Sequence, residues 1–177
     1  MHGLTANHNL FSNQVNYFEK DYNVIAWDAP AHGESRPFTD FTYEKAAFAA
    51  KNILESNDIN KAIFVGQSLG GYIAQSVLKR FPEIVSAFIS IDSTPFGEGY
   101  YSRSDKWWLR QIEWIAKLYP EKSLKKAVSK QCTVSKLAYE NMYKMLNAVE
   151  FEMTREEVHK IWGEIWIYIK PVILLQL

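Results

Sequence analysis

A serine placed between two glycines is the clearest chemical signal in the sequence. Residues 66–70, Gly-Gln-Ser-Leu-Gly, have the pattern G-x-S-x-G, between an apolar run and a helix-like segment. A sharp strand-to-helix turn strains the backbone of its central serine, so Gly66 and Gly70 must be small. The turn lifts the hydroxyl above the carboxyl edge of a parallel sheet, where ligands bind. Ser68 is therefore predicted to be a nucleophile; a glycine-rich packing turn with an incidental N-capping serine is the alternative.

The helix that begins after Ser68 would supply the electrostatics for such a nucleophile. A helix N-terminus favours negative charge because its first N–H groups have no intrahelical acceptor. The backbone N–H of Leu69 would then point to the position of a tetrahedral oxyanion.

The elements that must position the serine alternate between strands and helices. Compact apolar runs predict buried strands, and apolar residues at helical spacing predict helices between them. The strands are expected at 22–28, 61–67 and 85–91, and the helices at 9–20, 43–56 and 69–81. Such alternation favours a parallel sheet built from right-handed crossovers.

The second half of the chain reads differently, because no strand pattern occurs between residues 94 and 163. Helices are predicted at 104–119, 135–149 and 154–166, the first and third opened by Ser104 and Thr154. The lysine-rich run 117–136 reads as a solvated face. The apolar end of the chain predicts a fourth strand at 171–176.

Composition excludes several classes of protein. The 177 residues suit one domain, and 20 Lys and Arg balance 20 Asp and Glu, so no polyanionic partner such as nucleic acid is expected. A single cysteine, Cys132, excludes an internal disulfide and a multi-cysteine metal site, and it favours a cytoplasmic location. The N-terminus does not read as a signal peptide. The apolar C-terminus, interrupted by Lys170 and Pro171, is too short to span a membrane.

Three motifs together resemble the small serine hydrolases of the α/β-hydrolase superfamily. They are His2-Gly3, the stretch DAPAHGES at 28–35 and the serine turn, in the order found in that family. The resemblance covers nearly the whole chain. One departure is Ala31, where the family usually has glycine.

The resemblance implies a three-layer α/β sandwich with a mostly parallel sheet and a helical cap. The core would comprise 1–95 and 167–177, and the cap about 96–166. Ser68 would be the nucleophile, and the amides of Leu69 and Leu4 would form the oxyanion hole. The supporting motif residues would be His2, Gly3, Gly66, Gln67 and Gly70. Trp107, Trp108 and Trp114 of the cap would face an apolar substrate, although tryptophans at such positions are more often core.

The remaining candidates have structural interpretations that we prefer. His2 is expected to brace the oxyanion loop, His32 to bond within its own turn, and His8 to face solvent. His159 is expected on a solvated helix face, and Cys132 as an inert thiol. Asp92 is expected to stabilise a loop, although a few relatives place a catalytic acid near there.

The acid and the histidine of a catalytic triad are missing. In this fold they follow strands that come after the cap, in the order Ser, acid, His. The only histidine after Ser68 is His159, so Asp92 and His159 are weak candidates for these roles. We therefore expect an internal fragment of a hydrolase, truncated at both ends, or a shifted reading frame. Unpaired sheet edges would make it poorly stable and prone to self-association.

The sequence thus predicts a serine hydrolase that transfers an acyl group from a small, partly apolar ester or amide to water. No cofactor, metal or membrane partner is expected. An acyltransferase or a C–C bond hydrolase would carry the same signals. The rival of another class is a non-catalytic remnant that keeps the core of the fold without its triad.

Overall fold

A two-stranded parallel sheet carries the serine turn. The computed structural model describes residues 1–96, 98–107, 111, 118, 120–131, 133–147 and 155–168. Strand β1 (Ala62–Gln67) pairs in parallel with strand β2 (Val85–Ile91), with Val65 opposite Ile89. The predicted strands 61–67 and 85–91 and their parallel direction are thereby confirmed.

Two helices support the sheet, and both begin and end close to the predicted residues. Helix α2 (Tyr43–Ser56) begins after Thr42, whose side chain accepts a hydrogen bond from the Lys45 N–H. Helix α3 (Leu69–Arg80) is the crossover between β1 and β2, and Pro82 follows it. Basic residues in its last turn complement the helix dipole.

The main core lies between these helices and one face of the sheet. α3 packs against both strands and against α2. The buried members of this core are Ala47, Ala50, Leu54, Phe64, Ala74 and Val77. The other face of the sheet is open: Ile63 is 53% exposed and Ile89 is 50% exposed. One face is therefore a packed interior and the other an exposed apolar surface.

The predicted strand at 22–28 is wrong. Residues 23–29 have no regular structure, and Val24 and Ile25 are exposed. A β-branched run becomes a strand only where a neighbour bonds its backbone, and within the described residues no backbone–backbone bond involves 23–27. On either side of this run, Tyr22 N–H donates to Phe18 O, and Ala29 N–H donates to the ring of His2.

The N-terminal residues lie beside β1 on the side opposite β2. The Met1 amino group donates to Val65 O at 2.7 Å, and Gln67 N–H donates to Met1 O at 3.0 Å. These two bonds have the pattern of a parallel pair centred on Met1 and Gly66. Residues 1–3 therefore run parallel to β1 toward the serine turn.

The predicted helix at 9–20 divides into a 3₁₀ turn, His8–Phe11, and helix α1, Ser12–Phe18. Of its predicted apolar positions, Leu10, Phe11 and Val15 are half-buried, whereas Phe18 is 46% exposed.

The described part of the second half is helical. A helix covers residues 103–107, and its N-cap is Ser102 and not Ser104. The Ser102 hydroxyl accepts a hydrogen bond from Asp105 N–H, and the Asp105 carboxylate accepts one from Ser102 N–H. Helix α4 (Glu121–Gln131) was not predicted, because its sequence was read only as a solvated face. Helices α5 (Lys136–Leu146) and α6 (Arg155–Tyr168) match two predictions.

Several expectations concern residues beyond this description. The fourth strand (171–176), Thr154, Cys132, Trp108 and Trp114 lie outside the described residues. Among the helices that are described, none has both the length and the apolar character that a bilayer span requires.

α6 is fastened to the core at two points. Ile161 is fully buried in a second cluster, with Ala29 and Leu69. One turn earlier, Glu157 accepts hydrogen bonds from the Arg36 guanidinium at 2.8 Å and 3.1 Å. Ile161 thereby shares a buried cluster with Leu69, the residue that follows Ser68.

We expect Ile161→Ala to lower the free energy of unfolding by about 3 kcal/mol, because it removes three buried carbons and leaves a cavity. Leu137→Ala on α5 is the matched control, because Leu137 is 69% exposed and should change stability by less than about 0.5 kcal/mol. Urea unfolding of both variants measures the difference. Equal effects would mean that Ile161 is not part of the core.

Candidate functional site

Ser68 sits in a strained backbone conformation between β1 and α3. Its φ is 49° and its ψ is −114°, outside the regions that L-residues favour. Its N–H donates to Ile91 O at 2.8 Å. Its C=O accepts from Gly71 N–H at 2.9 Å and from the Ser93 hydroxyl at 2.7 Å. These hydrogen bonds offset the backbone strain of Ser68, which costs about 1–3 kcal/mol of free energy.

The two glycines of the motif are required by close backbone contacts. A Cβ on Gly66 would lie 2.4 Å from Gly70 O, and a Cβ on Gly70 would lie 2.3 Å from Met1 O. Both distances are far below van der Waals contact. The small residues are therefore needed for chain packing around Ser68, as the turn predicts.

The loop after His2 lies against the serine. A Cβ on Gly3 would lie 2.3 Å from Gln67 Oε1 and 3.3 Å from Ser68 Cβ. The amides of Leu4 and Leu69 donate to no acceptor among the described residues. Leu69 is also the first residue of α3, at the positive end of the helix dipole. Two candidate donors therefore lie next to Ser68 in the chain or in space.

His2 braces this loop, as expected. Its Nδ1–H donates to Gly3 O at 2.9 Å, and its Nε2 accepts from Ala29 N–H at 3.0 Å. Burial, reinforced by the nearby ring of His32, lowers the pKa of His2 to about 3. The ring is neutral at physiological pH and both nitrogens are occupied, so His2 is unsuited to act as a base.

Asp28 organises the neighbouring loop, and His8 contacts it. Burial raises the pKa of the Asp28 carboxyl, but hydrogen bonds from Glu34 N–H and from His8 outweigh burial and hold it below the ordinary value. The His8 ring Nδ1 lies 3.0 Å from Asp28 Oδ2, and the His8 N–H donates to Oδ1 at 2.7 Å. The expectation that His8 faces solvent is therefore wrong.

Two residues of this loop have positive φ. Gly33 has φ 46°, and a Cβ there would lie 2.3 Å from the Asp28 carboxyl carbon. Ala31, which replaces the usual glycine, has φ 69°. It is buried and accepts the strain of the left-handed region. His32 bonds within its own turn, as expected: its Nδ1 lies 3.0 Å from Pro30 O.

The structure brings no base to the serine among the residues it describes. In that part of the chain the Ser68 hydroxyl has no hydrogen-bond partner. Asp92 is exposed, with φ 51°, directly after β2. We expected Asp92 to stabilise this loop, but its carboxylate makes no hydrogen bond within the described residues. Ser93 stabilises the loop instead. His159 is half-buried in α6, not on a solvated face.

Of the three tryptophans expected to face a substrate, the structure describes Trp107. Trp107 is 56% exposed. A cavity of about 260 Å³ lies between α6 and residues 37–41, away from Ser68. Its walls are Ala31, Pro37, Phe38, Thr39, Phe41, Glu157, Lys160 and Ile161. Ser68 is not among the residues that line this cavity.

Sequence reasoning missed the residues that tie α3 to the segment after β2. The Tyr72 hydroxyl lies 3.0 Å from Thr94 Oγ1 and 2.9 Å from the Tyr101 hydroxyl. Gln75 clamps the same segment: its Nε2 donates to Thr94 O, and its Oε1 accepts from Phe96 N–H. The sequence signal that could have identified Tyr72 is its spacing from Ser68. Tyr72 lies one helical turn after Ser68 and therefore on the same side of α3.

The pH dependence of stability tests the neutral state of His2. Its pKa is about 3 in the folded chain and about 6.5 when unfolded. A base with a lowered folded pKa binds its proton more tightly when unfolded. The free energy of unfolding therefore falls as the pH drops through this window, by up to about 1.4 kcal/mol per pH unit. Burial shifts the pKa of His32 in the same direction.

His2→Gln should make this slope shallower between about pH 6 and pH 4, because it removes one titrating ring while keeping an acceptor for Ala29 N–H. Urea unfolding at several pH values measures the slope for both proteins. The contribution of His32 to the pH dependence of stability remains in both proteins, and the contribution of Asp28 to it appears only at lower pH. An unchanged slope would show that His2 is protonated in the folded chain.

Comparison with known proteins gives the same architecture. The sequence profile described as "alpha/beta hydrolase fold" matches residues 1–163. An uncharacterized hydrolase of Bacillus subtilis, YugF, is 31% identical over 106 residues, 59% of this chain and 37% of that protein. A pimeloyl-[acyl-carrier protein] methyl ester esterase of Hamiltonella defensa is 30% identical over 95 residues, 54% of this chain and 35% of that protein.

Solved structures agree over almost the whole chain. An esterase from Exiguobacterium antarcticum superposes with a TM-score of 0.77 at 19% identity, covering 93% of this chain and 63% of that one. A thermophilic esterase from Thermogutta terrifontis gives 0.74 at 16% identity, covering 95% and 62%. The chain thus spans little more than a third of the curated relatives and under two-thirds of the solved ones. With its profile match over residues 1–163, its strained serine turn and its parallel sheet, the chain belongs to the α/β-hydrolase fold family.

Proposed function

We propose that this chain carries the nucleophilic half of a serine hydrolase that acts on a small, partly apolar ester or amide. The observation that carries the proposal is the backbone of Ser68, held at φ 49° by main-chain and Ser93 bonds with its hydroxyl unengaged in the described residues. Strain of this kind persists where the surroundings over-determine it, and it clusters at functional sites. The similar methyl ester esterase, at 30% identity, supports the ester as substrate class.

The proposed reaction proceeds in two acyl transfers. Ser68 Oγ adds to the carbonyl carbon while its proton passes to a base, and the carbonyl oxygen becomes an oxyanion. The free amides of Leu4 and Leu69 are the proposed donors to that oxyanion. The leaving alcohol or amine takes the proton as its bond to carbon breaks. Water then adds to the acyl-enzyme, releases the acid and returns the proton to Ser68.

Among the described residues, no base and no orienting acid contact Ser68. Asp92 and His159 remain the weak candidates within the chain, and no hydrogen bond joins either of them to Ser68. This observation favours the second candidate, a non-catalytic chain that keeps the turn without its triad. We further propose that residues from about 96 to 166 act as a cap, with Trp107, Trp108 and Trp114 toward the substrate.

The 177-residue chain should hydrolyse a p-nitrophenyl ester only slowly. Without the acid and base, the oxyanion hole and binding leave on the order of 10³ to 10⁴-fold over water. Labelling by a fluorophosphonate should likewise be slow. Ser68→Ala should abolish the label, and Ser86→Ala, at an exposed serine of β2, should leave it unchanged.

Two further results separate the candidates. Fusion to the unmatched portions of a related esterase, which supply the acid and the histidine, should restore turnover that Ser68→Ala then abolishes. Rapid turnover by the chain alone, lost with Ser68→Ala and also with His159→Ala, would mean that His159 is the base. A fused protein that folds and stays inactive would favour the non-catalytic candidate.

We also propose that the exposed sheet promotes self-association, because uncharged edge strands pair with other chains. Ile89→Lys places a charge on a half-exposed position of β2 and should lower the average mass in sedimentation experiments. Leu137→Lys on α5, also exposed, is the matched control and should not. A monomeric wild-type chain at all concentrations would contradict the proposal.

A further inference from the structure

Helices α4 and α5 pack against each other as a hairpin, and residues 132–135 connect them. Leu146, the last residue of α5, is buried, and α5 also contacts the 3₁₀ turn His8–Phe11 of the N-terminal half. At the opposite end of α5, Leu137 is 69% exposed, and Val134 in the connection is 109% exposed. An exposure above 100% means that the Val134 side chain projects from the surface. The connecting end of the hairpin therefore presents two apolar side chains to solvent.

The two helix ends fix the conformation of this connection. The Thr133 hydroxyl donates to Ser129 O at 2.6 Å, which satisfies a carbonyl in the last turn of α4. Ser135 caps the N-terminus of α5, where its hydroxyl accepts a hydrogen bond from Ala138 N–H at 3.1 Å. Val134 lies between these two anchored residues, so hydrogen bonds on both sides hold its side chain outward.

Lysines surround the exposed apolar residues, although the chain as a whole is neutral. Residues 121–144 contain six lysines and two glutamates, a net charge of +4, whereas the whole chain has 20 basic and 20 acidic residues. Lys130 lies in the last turn of α4, Lys136 is the first residue of α5, and both are exposed. The Lys136 ammonium lies 3.9 Å from the Glu140 carboxylate, but a pair this exposed contributes little. We call Lys130, Val134, Lys136 and Leu137 the hairpin tip.

We infer that the hairpin tip docks on the surface of a membrane that carries anionic lipids. Its two apolar side chains would enter the boundary between headgroups and acyl chains, and its two lysines would lie level with the lipid phosphates. The projecting shape favours this partner, because a fluid surface accepts a projecting side chain without a matching cavity. An acidic protein would match the lysines, but it would also need a pocket for Val134 and Leu137. The inference departs from the sequence-based expectation of no membrane partner, which did not weigh this local surface.

Charge and apolar contact contribute to such docking in different ways. A lysine near an anionic surface strengthens binding about fivefold, and this attraction acts only within a Debye length, about 10 Å at about 0.1 M salt. The burial of Val134 and Leu137 in the interface does not depend on charge, and salt does not screen it. Docking should therefore require both anionic lipid and the two apolar side chains, and added salt should weaken it.

Flotation of the 177-residue chain with lipid vesicles tests the inference, because aggregated protein does not float. One set of vesicles contains phosphatidylcholine alone, and the other contains phosphatidylserine as well. The chain should float with the anionic vesicles and not with the neutral ones. Raising the salt from about 0.05 M to about 0.5 M should release most of the bound chain, because the Debye length falls below about 5 Å.

The apolar half of the tip is tested by a double variant, Val134→Ser with Leu137→Ser. It should bind anionic vesicles at least about tenfold more weakly, because it removes the apolar surface that enters the interface. The matched control is Ile63→Ser with Ile89→Ser, at two half-exposed positions on the open face of the sheet. This control should bind as the wild-type chain does.

The basic half of the tip is tested by Lys130→Gln with Lys136→Gln. Loss of about fivefold per lysine predicts binding about 25-fold weaker to anionic vesicles. The matched control, Lys20→Gln with Lys79→Gln, removes the same charge at two exposed positions elsewhere in the chain and should leave binding unchanged. This pair and the comparison of the two vesicle types keep the test decisive if the serine variant does not fold.

Four results would overturn the inference. The folded chain could fail to float with anionic vesicles, or each tip variant could weaken binding no more than its control does. Binding lost with the glutamine variant and kept with the serine variant would indicate an acidic protein as the partner. A lower average mass of the serine variant in sedimentation without vesicles would show that the tip contacts a second copy. No readout depends on the reactivity of Ser68, so Ser68→Ala should float as the wild type does, and the inference and the proposed function fail independently.

Discussion

The left-handed backbone of Ser68 is the constraint on which the rest of the site depends. A non-glycine residue at φ 49° costs free energy, and four hydrogen bonds of the Ser68 backbone offset it. In one of them Ser68 N–H donates to Ile91 O. That carbonyl is within reach of Ser68 only because β2 is parallel to β1 and ends at the same edge of the sheet. The sheet therefore does more than support the turn, because its direction supplies an acceptor that the turn requires.

The same turn connects elements that are far apart in sequence. Met1 O lies so close to Gly70 that no side chain fits between them. Ser93 reaches back to Ser68 O, and the Gln75 amide holds the segment that follows. A change at any of these contacts would alter the position of the hydroxyl without touching it. These are positioning residues, and side-chain chemistry alone does not identify them.

Local signals predicted the elements that local interactions stabilise. β1, β2, α2 and α3 begin within about two residues of their predicted starts, because periodicity, a Thr42 cap and Pro82 mark them in the sequence. The run at 22–28 has equally good strand propensity, yet no strand among the described residues pairs with it. Strand propensity describes how well residues fit into a sheet, but a strand also needs a neighbouring strand that bonds its backbone. His8 was misjudged for the same reason, because its partner Asp28 lies twenty residues away.

The two histidines nearest the turn are used for building loops. His2 has both ring nitrogens engaged, and burial keeps it neutral; His32 is buried and bonded to its own turn. Asp28 accepts bonds from two backbone amides and from a ring nitrogen, so its carboxylate is committed as well. A proton acceptor must be able to approach the nucleophile and change its charge, and these groups are fixed and desolvated. The described residues therefore place two amides without an acceptor and a helix N-terminus beside a strained serine.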